Sequence, residues 1–177
     1  MTNSNFFKLF LSLFWILISK LYIAQTNVVK KELLTCSDSI VKRYNLKVDT
    51  IISFAKTFLG TPYHYGGSSP SGFDCSGFIS YVFGNFGFRL SRSSSALAEF
   101  GEIIAFSDIQ PGDLMFFKGR NANSSRVGHV AMVIEVAPNK LKFIHSASGG
   151  VKIDEYQGSK YYTQRYIKAK RIDYGGK

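Results

Sequence analysis

Cysteine is scarce in this chain, with only Cys36 and Cys75 among 177 residues. Two cysteines exclude a disulfide-built scaffold and leave either one bridge or two thiols. Cys36 lies in a polar segment and pairing would silence Cys75, so Cys75 is expected to be free. Several motifs are missing as well. Without CxxC, HExxH or a carboxylate at ligand spacing, the metal patterns are unsupported, although Cys75, His129 and His145 would make a three-ligand zinc set. Neither a metal nor a cofactor is expected. The glycine-rich stretch Tyr63 to Gly72 lacks GxxxxGK[ST], which excludes a phosphate-cradling loop. Four prolines, no biased tract and no internal repeat exclude low-complexity and solenoid architectures.

Acidic residues are also few, 12 against 22 Lys and Arg, for a net charge of +10. Such a balance suits an anionic partner. For an exported chain that partner is an envelope or wall surface rather than nucleic acid, and solvated lysines that keep the protein soluble explain the charge equally well. Export is expected because Lys8 precedes the uncharged run Leu9 to Ser19, Lys20 ends it and Ala24 supplies a small residue for cleavage. The run is shorter than the ~20 residues of a spanning helix, which weighs against a permanent anchor. A lipoprotein reading of Leu33-Leu34-Thr35-Cys36 is weakened by Lys30, Lys31 and Glu32, which separate it from the apolar run. Residues 1–24 are therefore taken as a signal peptide, 25–47 as a linker or short helical arm, and 48–174 as one domain, expected to be monomeric. Loss of Lys8 and Lys20 with the leader takes the charge from +10 to +8.

The 45% apolar and 15% aromatic content is that of a globular domain. Ile51, Ile52, Phe54, Ala55, Phe58 and Leu59 recur at helical spacing, with Gly60 and Pro62 as stops. Asp74 can cap a helix that opens at Cys75 and closes at Gly84 or Gly87, and another helix is predicted over Ser94 to Phe100. Strand patterns follow at 113–117, 129–136, 141–145, 151–153 and 166–172. Helices followed by about five strands predict an α+β fold, with helices packed on an antiparallel sheet.

The chemistry concentrates on Cys75. A cysteine opening a helix has N–H groups and the positive dipole end aimed at its sulfur, which can lower the thiol pKa from about 8.5 to roughly 3.5–7.5. His129 begins one strand and His145 ends its hairpin partner, so the two can be neighbours although 16 residues apart. His129 would exchange protons with Cys75, and His145 would orient His129. The backbone N–H of Cys75 and the Tyr63 hydroxyl are candidate oxyanion donors. Singly, each residue has an ordinary reading as an inert buried thiol, a hydrogen-bonded core histidine or a packed loop tyrosine.

Tyr63-His64-Tyr65-Gly66-Gly67, Phe73-Asp74-Cys75-Ser76-Gly77-Phe78, Ile109-Gln110-Pro111-Gly112-Asp113-Leu114, Gly128-His129-Val130-Ala131 and Phe143-Ile144-His145 occur in the order of the NlpC/P60 cysteine peptidase signatures. Over residues 48 to 172 the chain resembles that family. The resemblance implies a papain-like fold and cleavage of peptidoglycan stem peptides, usually between γ-D-glutamate and the diamino acid. By motif match it implies Cys75 as nucleophile, His129 as base and His145 as third polar residue. It aligns Tyr63 with an active-site tyrosine and Asp74 and Ser76 with positions that, in some members, help hold the substrate's amine end. Arg92 matches an arginine after the catalytic helix, where a structural role fits equally. Two departures stand out. Residues 118–126 are longer and more polar than a minimal turn, and no SH3-like or LysM-like module precedes the domain, so targeting is expected to rest on charge or on the cleft.

Rival functions share the chemistry. An N-acetylmuramoyl-L-alanine amidase, another papain-like amide hydrolase or an acyltransferase would use the same Cys and His. A non-catalytic wall-binding protein would not need all three polar residues, and all three are present.

Overall fold

The computed structural model describes residues 3–174 and divides into two units, residues 1–44 and 45–177. Helix α1 runs Asn3–Lys56. The stretch expected to be a linker or short helical arm is helical throughout, and among the described residues no helix is long and apolar enough to cross a membrane. Within the second unit the end of α1 buries Val48, Ile51, Ile52 and Ala55, the stripe expected from the 3.6-residue period.

The ribbon β1 (Ser68–Ser69) and β2 (Gly72–Phe73) leads into α2 (Cys75–Gly84). Asp74 caps α2, its Oδ1 accepting from the Gly77 N–H at 2.6 Å. Phe78, Ile79, Val82 and Phe83 are fully buried, and Phe54, Phe58, Phe73 and Tyr81 meet edge-on, stacked or tilted where the end of α1, the turn after it and β2 pack on α2. A short α3 (Ser94–Leu97) follows, shorter than the helix predicted there.

The main sheet has six strands rather than about five. They are β3 (Glu102–Ile104), β4 (Leu114–Lys118), β5 (Val127–Ala137), β6 (Lys140–Ala147), β7 (Gly150–Glu155) and β8 (Tyr166–Arg171). The order is β3-β8-β4-β5-β6-β7 and every pairing is antiparallel. The sequence reading passed over β3, a three-residue edge strand whose Glu102 and Ile103 face solvent, because it has no alternation to detect. Helix α4 (Lys160–Thr163) sits between β7 and β8. Met115, Phe117, Ala131, Val133 and Phe143 form one core cluster with Tyr162 of α4. The α+β class is as predicted.

Candidate active site

The β5–β6 hairpin brings the histidines together. Val133 pairs with Phe143. Side chains two apart share a face, so His145 lies one step beyond Phe143, and His129 lies two steps beyond Val133 in the same direction. His129 Nε2 and His145 Nδ1 are 2.8 Å apart. His145 is fully buried. The Cys75 end of α2 is tied to this hairpin by the Ser146 hydroxyl, which donates to the Phe73 carbonyl at 2.7 Å.

Close backbone approaches set the walls. A Cβ on Gly77 would lie 2.0 Å from the Gly67 carbonyl oxygen, and one on Gly128 would lie 2.6 Å from Gly119 Cα. Only glycine allows α2 to start against the loop, and only glycine allows the β4 and β5 ends to close beside His129. The resulting cleft, about 590 Å³, is lined by Tyr63, Cys75, His129, His145, Arg120 and Tyr161 among others. Polar residues of 118–126 contribute to its rim, where Lys118 Nζ donates to the Ala122 carbonyl at 3.0 Å.

Asp74, Ser76 and Arg92 are not in the cleft lining. They form the scaffold behind it. Asp74 Oδ2 accepts from the Gly66 N–H at 3.0 Å, buried Ser76 donates to the Arg92 carbonyl at 2.7 Å, and the Arg92 guanidinium donates to the Gly66 carbonyl at 3.1 Å. Tyr63 does line the cleft, and its hydroxyl is pushed above its ordinary pKa by burial and then by the nearness of Cys75 and Asp74.

The expectation of a depressed thiol pKa is corrected. Backbone N–H groups of Val130, Ser76 and Cys75 itself do favour the thiolate, but burial and then the negative charge of Asp74 outweigh them, and the thiol is pushed up. The same capping carboxylate that starts the helix therefore opposes ionisation of the sulfur. Burial, reinforced by His145 and Lys152, pushes His129 down to about 3. Burial thus favours the neutral form of both the thiol and the imidazole.

Sequence reasoning missed Asp154 and Tyr162. Asp154 Oδ2 lies 3.0 Å from His145 Nε2 and 2.9 Å from Lys152 Nζ, and it accepts a short hydrogen bond from the Tyr162 hydroxyl. The signal was present in the hairpin after β6. With His145 opposite Lys152 and Phe143 opposite Asp154, an acidic side chain two residues on from Lys152 falls on the histidine's face. Among the described residues no group of three or more His, Cys, Asp and Glu side chains is placed to hold a metal ion. Cys36 and Cys75 are both free.

A model of the NlpC/P60 family matches residues 60–171. A gamma-DL-glutamyl hydrolase of Bacillus subtilis is 37% identical over 126 residues, covering 70% of this chain and 30% of that protein. LytE, a probable peptidoglycan endopeptidase of the same organism, is 38% identical over 128 residues, covering 72% and 35%. The crystal structure of an NlpC/P60 family protein from Bacillus cereus superposes with a TM-score of 0.63 at 33% identity, covering 71% of this chain and 40% of that one. The chain thus spans about a third of the length of these two Bacillus subtilis relatives.

Proposed function

The chain belongs to the NlpC/P60 family, and on that premise we propose that it is an exported cysteine endopeptidase of peptidoglycan stem peptides, cutting the γ-D-glutamyl–diamino acid bond. The observation that carries the reading is one cleft holding Cys75 and His129, with His145 bonded to His129 at 2.8 Å. The names of the gamma-DL-glutamyl hydrolase and of LytE support the bond and the polymer. Export rests on the leader pattern between Lys8 and Ala24.

In the proposed reaction His129 takes the Cys75 proton as the sulfur attacks the scissile carbonyl carbon. The oxyanion forms near the Cys75 N–H and the Tyr63 hydroxyl. Collapse of the tetrahedral intermediate breaks the C–N bond, and His129 returns the proton to the leaving amine. Water, deprotonated by the same imidazole, then attacks the thioester and releases the γ-glutamyl carboxylate and the Cys75 thiol. Because both groups rest neutral, the charge separation of the attack step needs stabilisation supplied by His145 and the groups behind it.

Cys75→Ala is expected to abolish hydrolysis of purified muropeptides while circular dichroism and the thermal midpoint stay native. Undiminished hydrolysis by a folded Cys75→Ala protein would sink the assignment.

A further inference from the structure

We propose that Asp154 is a positioning residue that, through His145, fixes the tautomers of both histidines so that His129 presents a bare Nδ1 to Cys75. The proposal rests on the reading of Cys75 and His129 as nucleophile and base.

The argument follows the hydrogens. An ionised carboxylate only accepts hydrogen bonds, whereas a neutral imidazole has one N–H and one lone pair. Asp154 Oδ2 at 3.0 Å therefore requires the hydrogen of His145 to sit on Nε2. His145 Nδ1 is then a lone pair, and at 2.8 Å it requires the hydrogen of His129 to sit on Nε2. That leaves His129 Nδ1 without a hydrogen, able to take the thiol proton. One charged acceptor sets the state of four nitrogens.

Two conditions must hold, and both have support. The histidines must be neutral, and burial foremost pushes each of them down. Asp154 must stay ionised, and donation by His145, with further donation from Lys152 and Tyr162, holds its carboxyl well below the usual range. Among the described residues, the titratable and charged groups facing the histidine pair are Asp154 and Lys152 from β7, Tyr161 and Tyr162 from α4, Cys75 from α2, Lys118 from β4, and Tyr63, Tyr65 and Arg120 from the loops that line the cleft.

Without the acceptor the chain can reverse. The protein partner left to His145 Nε2 is the Tyr162 hydroxyl at 3.4 Å, which can donate to that nitrogen as well as accept from it. A hydrogen on His145 Nδ1 would point at His129 Nε2 and drive the His129 hydrogen to Nδ1, the nitrogen left to accept the thiol proton. That arrangement cannot accept the thiol proton. During attack, the Asp154 charge also favours the imidazolium formed on His129, whose charge would otherwise stand uncompensated in a buried place.

The test is nitrogen-15 NMR of the imidazoles in the full chain, with steady-state kinetics on a disaccharide-tripeptide muropeptide, for wild type, Asp154→Ala and Asp154→Asn. Wild type is expected to carry Nε2–H on both histidines. Asp154→Ala should show Nδ1–H populations on both, with kcat lowered about 10²-fold and KM changed less than about 3-fold, in the range expected when a residue behind a functional ligand is lost. Asp154→Asn keeps a carbonyl acceptor without the charge, so it should restore the Nε2–H tautomers while kcat stays about 10-fold low. Nδ1–H on His129 of the wild type, or unchanged tautomers in a folded Asp154→Ala protein, overturns the proposal. Should Asp154→Ala not fold, wild-type kcat in Asp154→Asn overturns it as well. The tautomers are read without substrate, so failure of the peptidase reading would appear separately, as correct tautomers with no turnover.

Discussion

At the scale of single residues, burial disfavours charge on the thiol and on the imidazole that share the cleft. The Cys75 thiol is pushed up by burial and by Asp74, and burial pushes His129 down to about 3. Iodoacetamide labelling of the free protein is therefore expected to keep rising with pH through about 9, the ordinary thiol range. A labelling rate already level below pH 7 would show a resting thiolate and contradict this description. Cys75, His129 and His145 were legible as candidates because each lies at, or within two residues of, an element end that local patterning marks. The thiol's electrostatic state was not, because it depends on burial and on the distance to Asp74, which the folded chain alone determines. Asp74, Ser76 and Arg92 were legible as a motif, yet their hydrogen bonds join one another, Gly66 and Gly77, and of the three it is Asp74 whose charge reaches the cleft, at Cys75. Asp154 was hidden for a different reason, since its meaning depends on the β6–β7 register, which a short Ser148-Gly149 turn sets but does not advertise.

At the scale of elements, the start of α2 depends on a glycine contact. With Gly77 packed under the Gly67 carbonyl, Gly77→Ala would force the loop and the helix apart, because its Cβ would lie 2.0 Å from that oxygen. The expected cost is about 2 kcal/mol or more, the size typical of overpacking, together with loss of activity as Cys75 moves from His129. Urea unfolding measures the first, and an unchanged midpoint would show that the loop yields freely. The long strands were readable from their apolar runs, and the β5–β6 hairpin from Pro138-Asn139, where Asn139 adopts φ 57°. The full length of α1 was not read, because mixed charge across residues 25 to 46 carries no apolar stripe.

At the scale of the whole molecule, the core and the site respond to acid together. A group whose folded pKa lies below its unfolded value contributes stability that is present above the unfolded pKa and lost as pH falls toward the folded one. For His129 that window runs from about 6.5 down to about 3, and the lowered carboxyl of Asp154 adds its loss below about 4. The thermal midpoint is expected to fall between pH 7 and pH 4, and His129→Gln should flatten the decline. A decline of the same slope in that variant would place the acid sensitivity elsewhere. The buried Asp113 carboxylate, held by Arg171 through two contacts of 2.8 Å, joins the turn before β4 to β8. Arg171→Leu should cost about 3–5 kcal/mol in urea unfolding, the usual penalty for stranding a buried charge, and a change under about 1 kcal/mol would show that the pair contributes little. The fold class was legible from helices followed by strands, whereas the cleft's chemistry needed the sheet that folds around it. The central claim, that Cys75 and its histidines open a bond within the peptidoglycan stem, is tested most directly by digesting purified disaccharide-tripeptide muropeptides and weighing the products. The account predicts a disaccharide still carrying L-alanyl-D-glutamate together with the freed diamino acid, and neither product with Cys75→Ala. Separation of the lactyl sugar from an intact peptide, or the same cleavage by Cys75→Ala, would contradict it.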